Sequence, residues 1–105
     1  MATPYEDPGP TRAEVDAWTG PAVLEFGADW CGHCQGAQAQ IAEALAASAG
    51  VRHVKVADGK GKPLGRSFAV KLWPTLVFLT DGNEVARVVR PTDADELRRA
   101  LAALG

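Results

Sequence analysis

The run AVLEF at residues 22–26 constrains the fold more than any other stretch of this chain. It is apolar on both faces except at Glu25, the pattern of a strand buried in the middle of a sheet. Such a strand needs cover above and below, and the flanking segments can supply it. Thr11 and Glu14 stand in capping-box spacing, so a short helix is expected over about 11–18. An alanine-rich segment runs from Cys31 to Ala49, with Ala37, Ile41, Leu45 and Ser48 at helical spacing. Gly50 suits the position just past its end. VRHVKVA (51–57) is alternating and β-branched, a strand. Beyond a glycine-rich loop, Pro63 suits the start of a short helix whose inner face is Leu64 and Phe68. PTLVFLT (74–80) and EVARVV (84–89) flank the hairpin signal DGN. TDADELRRALAAL closes the chain as an amphipathic helix, with Leu97, Ala100, Leu101 and Leu104 on one face.

This order, with an optional short strand near Thr3–Tyr5, implies an α/β fold: a central mixed four- to five-stranded sheet flanked by helices on both faces. At 105 residues and 47% hydrophobic, the chain can build one compact core. That domain is expected over residues 11–105, after an extended or loose N-terminal arm at 1–10 with three prolines. A net charge of −2 without a basic stripe argues against a nucleic-acid partner. No apolar run approaches the ~20 residues of a membrane span. MATPYEDPGP has acids and prolines where a signal peptide has a basic and then an apolar stretch, so a cytoplasmic location is expected. LAALG carries no retention or lipidation signal.

Cys31 and Cys34 are the only cysteines, and they sit where the strand run gives way to the helical one. As a structural staple the pair is badly placed, because so short a loop contributes roughly 2 kcal/mol. Haem attachment needs a histidine after the second cysteine, and residue 35 is Gln. Structural zinc needs four ligands, and only His33 and His53 could join the thiols. Two unrelated buried thiols would not need this spacing. The redox reading has a mechanism. At a helix start, unpaired backbone N–H groups and the helix dipole favour an anion, so Cys31 becomes the nucleophilic thiolate. Cys34, one turn further in, waits as the resolving thiol. Gly32 lets the turn close, and a protonated His33 adds positive charge beside the thiolate.

WCGHC (30–34), LEFGADW upstream of it and WPT (73–75) resemble the thioredoxin superfamily, and element order and spacing match from about residue 11 to 104. The Cys-Gly-His-Cys loop is similar to that of protein disulfide isomerase domains; ordinary thioredoxins carry proline at the position of His33. The resemblance implies a thioredoxin fold and several roles. Glu25, six residues before Cys31, matches the family's buried carboxylate, which exchanges the Cys34 proton through water, and burial is expected to raise its pKa. Lys55 matches the lysine paired with that carboxylate. Pro74 matches the cis-proline whose loop, with Trp73 and Thr75, pairs with the substrate chain. Trp30 is expected beside Cys31. Gly27, Gln35, Trp73, Arg90 and a long helix without a kinking proline depart from the family pattern. These departures bear on substrate range and recycling rather than on thiol chemistry.

The expectation is therefore a monomeric thiol–disulfide oxidoreductase. Its redox centre is the Cys31–Cys34 disulfide itself, with no added cofactor and no metal. Its partners are protein disulfides and a recycling reductase or glutathione. The alternative class is a binding or chaperone module that keeps the fold with little turnover.

Overall fold

The computed structural model describes residues 3–104. Four strands form one mixed sheet: β1 (Pro21–Gly27), β2 (Arg52–Ala57), β3 (Thr75–Thr80) and β4 (Asn83–Val89), in the order β2-β1-β3-β4. β1 pairs parallel with β2 and antiparallel with β3, and β3 turns back into β4. Every residue of β1 after Pro21 is buried, as expected of the central strand.

Strand alternation divides the core into two layers. Ala22, Leu24 and Phe26 pack with Val77 and Leu79 against Val15 of α1 (Arg12–Asp16) and Leu64 of α3 (Pro63–Ser67). On the other face, Val23, Leu76 and Phe78 meet Ala37, Ile41 and Ala44 of α2 (Gly32–Ala46) and Ala94, Leu97 and Ala100 of α4 (Ala94–Ala102). Phe26 and Phe78 are almost wholly buried. Truncating such a side chain to alanine costs about 3–5 kcal/mol.

Local signals explain the element ends. Thr11 and Glu14 form the capping box that starts α1. Pro63 opens α3, and Leu64 and Phe68 face inward as expected. Asp93 caps α4 by accepting the Glu96 N–H, so that helix starts at Ala94 rather than at Thr92. α2 ends at Ala46, short of Ala49, and its buried face is Cys34, Ala37, Ile41 and Ala44. The face expected through Leu45 and Ser48 stepped by four residues twice. Each such step drifts about 40° at 3.6 residues per turn, so Leu45 packs at the edge of the core and is only partly buried, and Ser48 lies past the end of the helix. Gly50, at φ +93°, shapes the turn into β2 instead of ending the helix.

The arm is packed rather than loose. Glu6 joins the free edge of β2 through one parallel bridge to Val56, donating its N–H to Lys55 O at 2.8 Å and accepting from Ala57 N at 2.9 Å. The extra strand expected at Thr3–Tyr5 is reduced to this bridge. Gly9 lies so close to Val56 that a Cβ there would stand 2.7 Å from Cγ1. Residues 1 and 2 of the arm, and residue 105, lie outside the described residues.

Candidate active site

Cys31 is the residue immediately before the first turn of α2, with extended backbone, and its Sγ accepts the N–H of Cys34 at 3.3 Å. The sulfur thus sits where a helix start favours negative charge. Both thiols are free and buried. Burial, and then contact with Cys31, pushes the Cys34 thiol up to about 11; the backbone of Ala28 and the Tyr5 hydroxyl offset part of that rise. Gly32 and His33 are exposed at the rim. They line an open cleft with Gly36, Arg90, Pro91 and Thr92.

Beneath the thiols, β1 presents Glu25, wholly buried on the α2 side of the sheet. Its Oε2 accepts from Tyr5 Oη at 2.5 Å and from Gln38 Nε2 at 2.9 Å, and its Oε1 lies 2.9 Å from His53 Nε2. Burial raises the carboxyl, but the hydrogen bonds from His53, Tyr5 and Gln38 outweigh it and hold Glu25 below its ordinary range. The expected upward shift is therefore corrected. The group is ionised at neutral pH because three donors converge on it.

The pairing implied for Lys55 is corrected as well. Lys55 is buried and stands opposite Glu25 in the β1–β2 register, yet its ammonium passes the carboxylate by. Lys55 Nζ donates to Gln38 Oε1 at 3.0 Å and to Thr3 O, and lies 4.4 Å from the centre of the Tyr5 ring. His53 holds the position expected of the lysine.

Trp73–Pro74 is a cis peptide bond, and Pro74 and Thr75 are buried at the head of β3. Thr75 Oγ1 donates to Leu72 O at 2.6 Å. Trp73 packs against the cluster of Tyr5, Ala28, Cys31 and Cys34, and its indole N–H donates to Asp58 at 2.9 Å. Trp30 stacks edge-on against Trp73, ring centres 5.6 Å apart, and is 76% exposed. It is a surface aromatic beside the site, not a core one. Arg90, at φ +49°, donates its backbone N–H to Pro74 O and its Nε to Trp73 O, each at 2.9 Å. The loop is thus braced from β4's far end.

A dithiol at a helix start, a buried carboxylate under it and a cis-proline loop beside it form one constellation. The sequence profile of the thioredoxin family, described as Thioredoxin, matches residues 11–103. This chain belongs to the thioredoxin family. Thioredoxin 2 of Pseudomonas aeruginosa PAO1, solved in its reduced form, is similar at 56% identity and TM-score 0.88, over 99% of this chain and 96% of that one. The thioredoxin of Chlamydia pneumoniae is 39% identical over 83 residues, 75% of this chain and 78% of its own length. Protein disulfide-isomerase A2 of Pongo abelii is 44% identical over 68 residues, which are 60% of this chain but 13% of that longer protein.

A thioredoxin-family member is a thiol–disulfide oxidoreductase whose chemistry runs on its cysteine pair. Among the described residues, no group of three or more His, Cys, Asp or Glu is arranged to hold a metal ion. No helix among them is long and apolar enough to cross a membrane. Three residues of this thioredoxin-family site escaped the sequence reading. Gln38 follows Cys34 by one turn, a polar residue on the buried side of a helix, and that was a usable signal. His53 precedes Lys55 by two and so shares its face of β2. Tyr5's only signal was the optional strand near Thr3–Tyr5, which did not show that the arm folds over the edge of β2.

Proposed function

We propose that the protein exchanges disulfides with protein substrates in two thiol steps. The Cys31 thiolate attacks one sulfur of the substrate disulfide, and the other substrate sulfur leaves as a thiolate. Cys34 then gives up its proton and attacks Cys31 Sγ. The second substrate sulfur departs, and a Cys31–Cys34 disulfide remains. Glu25 accepts the Cys34 proton, which requires the carboxyl to be ionised beforehand. Its low basicity makes it a reluctant acceptor from a thiol near 11. Transfer therefore completes only as the Cys34 sulfur is consumed in the new S–S bond.

The loop of Trp73, Pro74 and Thr75, with Trp30 at its edge, receives the substrate backbone as an added strand. A reductase or glutathione returns the protein to its dithiol form. Run backwards, the same steps oxidise substrate dithiols. The observation that carries this reading is the pair of free thiols at the start of α2 above a fully buried carboxylate that three side chains hold.

His33, exposed beside Cys31, raises the potential by favouring the charged dithiol form; about 1.4 kcal/mol of such preference corresponds to ~30 mV. Redox titration against glutathione, read by thiol alkylation, tests the couple. Cys31 and Cys34 should titrate together as one two-electron pair. Its potential should fall between those typical of thioredoxin and protein disulfide isomerase, which lie ~90 mV apart. His33→Pro should lower it. Independent titration of the thiols, or an unmoved or higher potential in the variant, contradicts the proposal.

A further inference from the structure

A proton leaving Cys34 for Glu25 needs a path, and the group standing on it belongs to the arm. Tyr5 is 8% exposed and donates its hydroxyl to Glu25 Oε2 at 2.5 Å. The same hydroxyl and Cys34 Sγ crowd the open side of Gly27. A Cβ built there would lie 2.8 Å from Tyr5 Oη and 2.6 Å from Cys34 Sγ. The Gly27 backbone is ordinary strand, so this position needs glycine for room and not for conformation. Gly27, a departure from the family pattern at β1's end, clears the space the phenol fills.

The ring is fixed from several sides. The Tyr5 N–H donates to Asp29 Oδ1 at 3.0 Å, Lys55 Nζ lies over the ring face, and Glu6 is tied to β2. Gln38 Nε2 reaches the hydroxyl at 3.5 Å. The charged or titratable groups around Tyr5 are Glu25, Cys34, Lys55 and Asp29, with His53 on the far oxygen of Glu25.

We propose that Tyr5 is the proton relay between Cys34 and Glu25. The inference rests on Glu25 being the acceptor. As Cys34 Sγ bonds to Cys31 Sγ and the substrate sulfur leaves with its electron pair, the Cys34 proton moves to Tyr5 Oη. In the same motion the phenol's own proton moves to Glu25 Oε2. Tyr5 ends neutral and Glu25 ends protonated; the reverse transfers accompany reduction of the Cys31–Cys34 disulfide. Burial and the adjacent carboxylate hold the phenol protonated well beyond its ordinary range, so it passes a proton without persisting as phenolate.

Dithiobis(nitrobenzoate) separates the two steps. The reduced protein releases one coloured thiolate when Cys31 attacks and a second when Cys34 resolves the mixed disulfide. Tyr5→Phe keeps the ring under Lys55 and removes only the hydroxyl. The relay predicts that Tyr5→Phe leaves the first release unchanged and slows the second about tenfold or more, as Glu25→Gln also does. A slow second step in Glu25→Gln with a normal one in Tyr5→Phe overturns the relay and leaves Glu25 as acceptor. Normal second steps in both overturn the acceptor reading itself. If Tyr5→Phe loses the fold by circular dichroism, the wild-type protein still decides. Its second step should show a bowed dependence on deuterium fraction, as two protons moving together give, and a linear one overturns the relay.

Discussion

Burying a carboxylate without partners costs several kcal/mol, so each donor around Glu25 is doing measurable electrostatic work. A carboxyl held below its unfolded value, ordinarily about 4.3, stabilises the fold above that pH. The contribution is lost as pH falls through the folded value. His53→Ala removes the largest of the opposing donors, so the Glu25 pKa should rise, read from the carbon-13 shift of its carboxyl. The variant's stability deficit in urea should be present at neutral pH and shrink as the carboxyl is protonated. A Glu25 titration unmoved or shifted downward would contradict this assignment. The residue scale is also where the sequence was least sufficient. Spacing singled out Cys31 and Cys34, and the resemblance to the thioredoxin superfamily pointed to Glu25 and Pro74. The resemblance misjudged the partner of Glu25, because a lysine stem is long enough to bypass its cross-strand neighbour. His53 stands opposite Val23 and reaches Glu25 diagonally along the same face.

At the scale of elements, the patterns that held were those with a local cause. The capping box at Thr11 and Glu14, Pro63 at a helix start and the DGN turn each act within a few residues. In that turn Asp81 and Gly82 both take positive φ, 51° and 79°, as a two-residue hairpin between twisted strands requires. Gly82 is pinned further by α1: a Cβ would lie 2.6 Å from the Asp16 carbonyl oxygen. Gly82→Ala should therefore destabilise by about 1–3 kcal/mol in urea unfolding, adding strain in φ to a backbone clash. A loss below about 0.5 kcal/mol would show that the hairpin and α1 move apart freely. The arm is the opposite case. Its contacts with β2 span some fifty residues of sequence and those with the thiols nearly thirty, and no short pattern encodes them.

For the whole molecule, the apolar double face of AVLEF was enough to imply a layered sheet. The resemblance to the thioredoxin superfamily implied that the dithiol, the carboxylate and the cis-proline loop stand together. What the chain adds to that frame is an arm that closes over the edge of β2 and delivers Tyr5 to the thiols. The account as a whole stands on the two cysteines acting in order, Cys31 first and Cys34 second. Reduced Cys34→Ser protein, mixed with insulin and mapped by mass spectrometry after alkylation, tests that order directly. An insulin chain should be found in disulfide linkage to Cys31, and Cys31→Ser should give almost no adduct under the same conditions. An equal yield of adduct on Cys34 in the second variant, or none on Cys31 in the first, would contradict it.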